Sequence, residues 1–221
     1  GGGRYAMPIS LASRSVTIID QSKAMLMTLK NQAKHYKIPP IHIVLGSFED
    51  TVLAGADVVL FAHVLYTVET IDTFIGRLNS MSRHKVIIVM LDKSPQSELT
   101  EIWKFVHGSC RITLPGATEL LDVLRSIGIK GIEVRRILLN PDYYLSLEDA
   151  FKIICEKIFI RPESLKGTRL SQKLGRYMDY RDNKYVVKGS GVKLNSVISW
   201  EVSHGTNNGS CVGIVDPLLQ T

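Results

Sequence analysis

The feature that most constrains the fold is a set of short, almost unbroken apolar runs separated by helix-length segments. Val16-Thr17-Ile18-Ile19, Ile41 to Leu45, Val58-Val59-Leu60-Phe61 and Val86 to Leu91 are rich in β-branched residues and show no alternation of polar and apolar positions. A strand with one wet face alternates. A strand covered on both faces does not, and such strands are normally parallel with helices on each side. Between them, Met25, Leu26, Leu29 and Ala33 recur at helical spacing behind a cap at Ser22, and Pro39-Pro40 stops that helix. A second helix is expected from Ile71 to Ser82. Strands alternating with helices of this length make right-handed βαβ units, so the chain is expected to be an α/β protein with a doubly wound sheet.

The second half is read by the same rules. Helices are expected over Ser97 to Val106 and Glu119 to Ile127, with a strand at Ile132-Glu133-Val134. Leu147 to Phe159 and Pro162 to Tyr180 read as helices without a strand signal, a helical insertion before the end of the sheet. Lys184 to Val187 and Leu194 to Val202, separated by Gly189-Ser190-Gly191, read as an antiparallel C-terminal hairpin. The expected organisation is a cofactor-binding core over 1–140, a helical insertion or lid over 141–182, a terminal hairpin over 183–202 and a loosely ordered tail over 203–221.

Bulk properties narrow the setting. The three cysteines, Cys110, Cys155 and Cys211, are odd in number and far apart. That excludes a disulfide framework or a Cys-rich metal site and suits a cytoplasmic protein. No apolar run is long enough to span a bilayer, so no membrane partner is expected. The net charge of +6 leaves nucleic acid open as a partner, but Lys and Arg are scattered rather than clustered.

In an open α/β sheet ligands bind beyond the carboxyl ends of the strands, so the informative residues follow each run. Gly1-Gly2-Gly3 precedes a helix-like stretch, and glycines there let the backbone approach a ligand closely; three leading glycines are also a common expression scar. Asp20 ends the next strand, placed to accept hydrogen bonds from ribose hydroxyls or to cap the following helix. Gly46-Ser47-Phe48-Glu49-Asp50 follows the second run, with a ring that suits an adenine or a core-facing turn. His63 and Tyr66 follow Val58 to Phe61, three residues apart and on one side of a helical first turn.

Together, Gly1-Gly2-Gly3, Asp20-Gln21-Ser22-Lys23-Ala24-Met25, Gly46-Ser47-Phe48-Glu49 and Ala56 through Tyr66 resemble the class I S-adenosylmethionine-dependent methyltransferases. The motif-level resemblance covers roughly Gly1 to Asp92. It implies a seven-stranded-type, mostly parallel sheet with a reversed last strand, and S-adenosylmethionine as cofactor. It implies that Gly1 and Gly3 face the methionine part, that Asp20 holds the ribose, and that Gln21 lies beside the adenosine. Ser47 and Phe48 sit at the adenine, and Ala62 and His63 line the pocket near the methyl group. Position 47 is often acidic in the family, and here it is Ser. The family also places an apolar strand ending in an acidic residue directly ahead of the glycines, at the centre of the sheet. The resemblance therefore implies such a strand upstream of Gly1 in the natural protein.

The expected chemistry is methyl transfer to a small-molecule acceptor, which depends chiefly on positioning. His63 is the candidate general base, Tyr66 a positioning group, and no metal is expected. After Val58 to Phe61 there is no Asn/Asp-Pro-Pro-Tyr/Phe tetrad and no nearby Cys, which speaks against two common nucleic-acid classes. Lys166, Arg169, Lys173, Arg176 and Arg181 keep an RNA methyltransferase open. A nicotinamide-dependent oxidoreductase and a non-catalytic methyltransferase-like domain also stay open. The oligomeric state is not legible.

Overall fold

The computed structural model describes residues 2–202. Gly1 and the tail expected over 203–221 lie outside the described residues. The elements in chain order are α1 (Ala6–Ser10), β1 (Thr17–Asp20), α2 (Lys23–His35), β2 (His42–Leu45), β3 (Ala56–Ala62), α3 (Ile71–Met81) and β4 (Ser82–Leu91). They continue with α4 (Thr100–His107), α5 (Ala117–Ser126), β5 (Glu133–Leu139), β6 (Tyr143–Tyr144), α6 (Leu147–Lys157), α7 (Leu165–Lys173), β7 (Met178–Arg181), β8 (Lys184–Val187) and β9 (Lys193–Glu201).

The four apolar runs of the first half all become strands, and they pair as two parallel couples. β1 pairs with β2, and β3 with β4. β9 runs antiparallel between β4 and β5, giving the order β3-β4-β9-β5, so β3, β4 and β5 share one direction and β9 alone is reversed. This is the mostly parallel α/β sheet with a reversed last strand. Among the described residues no ladder joins β1-β2 to this four-stranded sheet.

The main core shows why β4 sits centrally. Val86, Ile88 and Met90, two residues apart, project from one face of the strand and are at most 1% exposed. They meet Phe74, Ile75 and Leu78 of α3, Leu120, Leu121 and Leu124 of α5, and Ile198 and Trp200 of β9. Burying each such side chain contributes roughly 1.5–3 kcal/mol. Trp200 keeps its one polar atom satisfied by donating Nε1–H to Asn79 Oδ1 at 2.8 Å. A second core gathers Ile102 and Val106 of α4, Ala150 and Ile154 of α6, Leu170 of α7, Met178 of β7 and Val187 of β8.

The segment before β9 differs from expectation. Lys184–Val187 does not pair with the last strand; it pairs with β7 and with β6, and β9 goes alone to the central sheet. The hairpin is β7-β8, closed by Asp182 (φ 48°) and Asn183 (φ 59°) between the paired Arg181 and Lys184. Two left-handed central residues make the turn whose twist matches paired strands, and Asp and Asn tolerate it best after Gly. β7 reads Met-Asp-Tyr-Arg and carries no apolar run, so its strand character is set by this turn rather than by its own pattern. The insertion is thus helices α6 and α7 plus a small three-stranded antiparallel sheet.

Candidate active site

Gly3, beside α1, has φ +95° and is buried. A Cβ there would stand 2.5 Å from Leu29 Cδ1 and 3.3 Å from Met7 Cγ, so only glycine fits between this loop and α2. Its carbonyl accepts from Met7 N–H at 3.0 Å, which starts α1 directly after the loop. Asp20 ends β1, and its Oδ1 accepts from Ser22 N–H at 2.7 Å, while Ser22 Oγ caps α2 by accepting from Met25 N–H at 3.3 Å. Gln21 is exposed beside it. The cap and the strand-end carboxylate are therefore neighbours, and the two readings of Asp20 are compatible.

The turn after β2 brings together two groups. Ser47 Oγ donates to Asp50 Oδ2 at 2.8 Å and accepts from Asp50 N–H at 3.1 Å. The carboxylate absent from position 47 thus stands against it, three residues on. Phe48 is placed inward at 6% exposure, with ring centroids 4.8 Å from both Phe61 and Phe74, and the Arg77 guanidinium lies 5.0 Å over its ring. Phe48 offers little free surface to an adenine; its contacts are those of the core-facing turn.

Ala62 ends β3 and is half-buried, and His63 follows with φ 59°, a left-handed conformation that is uncommon outside glycine and concentrates at functional sites. His63 N–H donates to Val89 O at 2.8 Å, which pins the residue to the end of the parallel β3-β4 pair. Its ring bridges two tyrosines: Nδ1 lies 3.1 Å from Tyr66 Oη, and Nε2 lies 3.2 Å from Tyr5 Oη. Tyr66 Oη in turn accepts from Leu91 N–H at 2.8 Å, where β4 ends. One hydrogen-bonded chain therefore runs from the end of β4, through the residues following β3, to the glycine loop.

The electrostatics follow from that position. Burial, with the Arg4 guanidinium nearby, holds the His63 imidazole below its ordinary pKa of 6.5. Burial pushes the Tyr66 phenol above its ordinary 10.0, against the lowering effect of the Leu91 N–H. His63 is thus neutral at pH 7, the form in which an imidazole can take a proton.

Of the residues expected from sequence, Gly3, Asp20, Ala62, His63 and Tyr66 all stand at the loop or at carboxyl ends of strands. Gly1 is outside the described residues. Two participants were not anticipated. Asp50 is signalled only by its i, i+3 relation to Ser47, and Tyr5 by an aromatic hydroxyl two residues after the glycines.

Residues 1–90 match the family model for methyltransferase domains. This segment is a class I, S-adenosylmethionine-dependent methyltransferase domain. No curated protein sequence matches the chain. Solved structures that it resembles include a candidate methyltransferase from Bacillus halodurans, with a TM-score of 0.57 at 11% identity, covering 91% of this chain and 88% of that one. Another is the magnesium protoporphyrin IX methyltransferase of Synechocystis PCC 6803 with bound S-adenosylhomocysteine, with a TM-score of 0.51 at 16% identity over 65% and 66% of the two chains. The [4+2]-cyclase SpnF has a TM-score of 0.52 at 12% identity over 91% and 71%. At these identities the structural likeness speaks for the fold, and it shows that one fold carries more than one chemistry. The methyltransferase-domain match over residues 1–90 supports an enzyme that uses S-adenosylmethionine and acts on a methyl acceptor. Among the described residues no helix is long and apolar enough to cross a membrane.

Proposed function

We propose that the protein transfers a methyl group to a small-molecule acceptor in the cytoplasm, and that the Tyr5–His63–Tyr66 chain handles the acceptor's proton. That hydrogen-bonded chain, pinned to Val89 and Leu91 beside the Gly3 loop, is the observation that carries the reading. The residues present suit the cofactor. A glycine that no Cβ could replace leaves bare backbone at the loop, Asp20 offers a strand-end carboxylate to ribose hydroxyls, and the Ser47–Asp50 pair offers an acceptor to an adenine amino group. Gly1, Gln21 and Ala62 complete the assignment to the cofactor; Phe48 supports the Ser47 turn from below.

When bound, S-adenosylmethionine supplies an electrophilic methyl group on a sulfonium. The protein's part is to position the acceptor, worth up to roughly 7–11 kcal/mol, and to remove a proton if the acceptor carries one. In the base-competent state His63 Nδ1–H donates to Tyr66 Oη, and Nε2 accepts from the Tyr5 hydroxyl. A proton released by the acceptor passes to Tyr5 Oη as the Tyr5 proton passes to Nε2. The resulting imidazolium is held by Tyr66, itself fixed by Leu91 N–H.

An RNA acceptor has one observation in its favour. Lys166, Arg169 and Lys173 share a face of α7, and Arg169 and Lys173 lie 5.4 and 5.8 Å from the Phe105 ring. A solvated helix face accounts equally for that arrangement. Thermal-shift titration separates the readings, since a ligand raises the melting temperature only by binding the folded state. Stabilisation by S-adenosylhomocysteine supports methyl transfer. Stabilisation by a nicotinamide dinucleotide alone supports an oxidoreductase, and stabilisation by neither supports a non-catalytic domain.

A further inference from the structure

The loop that follows β4 carries a second group of polar side chains. Ser94, Pro95, Ser97 and Thr100 meet Arg111 through Leu114 around a small pocket with about 20 Å³ of space for the centres of water-sized groups. That is room for one compact polar group rather than a whole ligand. The pocket opens just beyond the carboxyl end of β4, three residues past the Leu91 N–H that anchors Tyr66. It therefore lies on the side of the sheet where ligands bind.

Its uncommitted groups are hydrogen-bond donors. Ser94 lines the pocket and is only 6% exposed, and its hydroxyl makes no hydrogen bond among the described residues, which leaves it open to the pocket. Arg111 donates from Nη1 to Gln96 O at 3.3 Å and from Nη2 to Gln96 Oε1 at 2.6 Å, both neutral acceptors. Those two bonds use two of the five N–H donors of a guanidinium, and its charge has no counter-ion among the described residues. Nearby carboxylates are engaged elsewhere: Asp92 with Arg136 and Ser196, and Glu98 with Lys193. Beneath the guanidinium, 5.2 Å from its carbon, lies the Trp103 ring, whose buried Nε1–H has no acceptor among the described residues. Gln96, which fixes the fork, sits at φ 64°. A non-glycine residue is held in that conformation only where the surroundings over-determine it.

A hydroxyl open to the pocket beside a fixed guanidinium that has no counter-ion among the described residues fits an oxyanion, because only an anion accepts from every donor and neutralises the charge. We infer that this pocket binds a carboxylate or phosphate on the methyl acceptor, through Arg111 and Ser94. The inference rests on the methyl-transfer reading for the ligand's identity, though not for the pocket's preference for anions.

The test uses the full chain saturated with S-adenosylhomocysteine, titrated calorimetrically with benzoate, phenyl phosphate and neutral benzyl alcohol. Saturable binding of benzoate or phenyl phosphate, with no binding of the alcohol, is expected; the tighter anion identifies carboxylate or phosphate as the natural group. Arg111→Gln should weaken that binding about ten-fold or more, the scale of a lost charge-assisted hydrogen bond. Arg111→Lys, which keeps the charge without the fork, should fall between, and Ser94→Ala should weaken binding without unfolding the protein. Unchanged anion affinity in folded Arg111→Gln and Ser94→Ala, or equal binding of benzyl alcohol, overturns the inference. Arg111-dependent anion binding in a protein that does not bind S-adenosylhomocysteine would uphold the pocket and overturn the methyl-transfer reading instead.

Discussion

Replacing Tyr66 by Phe removes a single oxygen from the centre of the hydrogen-bonded chain. That oxygen accepts from Leu91 N–H at 2.8 Å and meets His63 Nδ1 at 3.1 Å, and the side chain is 6% exposed. Phe retains the ring and its contacts in the main core, so the packing contribution is almost unchanged. What is lost is the acceptor of a backbone N–H and the partner of a half-buried ring nitrogen. An orphaned buried donor costs about 1–3 kcal/mol. For a domain of this size that corresponds to a fall in Tm of roughly 2–12 °C. Tyr5→Phe is the matched control: Tyr5 is half-exposed, its hydroxyl meets only the His63 ring among the described residues, and water replaces it. Urea denaturation of the two variants should give a loss for Tyr66→Phe well above that for Tyr5→Phe, which should lie within about 0.5 kcal/mol of the parent. Equal losses, or a larger loss for Tyr5→Phe, would refute the view that the chain is anchored at Leu91 and open at Tyr5.

Three further outcomes follow from the same structure. If His63 is the base, kcat/KM should decline on the acid side with an apparent pKa below 6.5, and Arg4→Gln should shift that limb upward by removing a nearby positive charge. The linked stability has the same sign. The folded state holds fewer protons than the unfolded one below 6.5, so the contribution is complete above that pH and is lost as pH falls through the lowered folded value, which a pH series of denaturation curves would detect. Gly3→Ala should lower stability by about 2–5 kcal/mol, through a left-handed backbone and a Cβ 2.5 Å from the fully buried Leu29, and should abolish S-adenosylhomocysteine binding in a calorimeter. In the insertion, burial alone would raise the Asp142 pKa, but hydrogen bonds and attraction from Lys157 and Lys193 outweigh it and hold the carboxyl below its ordinary 3.8. The contribution of that cluster is present above 3.8 and lost as pH falls through the lowered value, so Asp142→Asn should lower stability near pH 7 and flatten the further loss on acidification, both read from denaturation curves across pH.

The sequence made the cofactor half of the molecule legible because its strands are buried on both faces. Val58 to Phe61 and Val86 to Leu91 announce a parallel pair without help from any neighbour. The residues that follow them are then placed by topology alone, which is why His63 and Tyr66 could be located beyond the carboxyl end of β3. Where an outcome depended on packing, the sequence was ambiguous: the same Gly46-Ser47-Phe48 turn suits a ring beside an adenine or a ring in the core, and only Phe61 and Phe74 decide its direction. β7 was hidden because a polar edge strand has no apolar signature, although Asp182-Asn183 marked its turn. Tyr5 and Arg111 escaped for another reason. Each acts through residues far away in the chain, 58 positions in the pair of Tyr5 and His63 and 15 in that of Arg111 and Gln96, and no local periodicity reports such a pairing.

The most direct test of the account is calorimetric binding of S-adenosylhomocysteine to the parent chain and to Asp20→Ala. Binding to the parent should be saturable and one-to-one, with affinity lowered about ten-fold or more in the variant, since a carboxylate at the end of β1 would hold the ribose. Absence of binding to a folded parent, or equal affinity in Asp20→Ala, would contradict it.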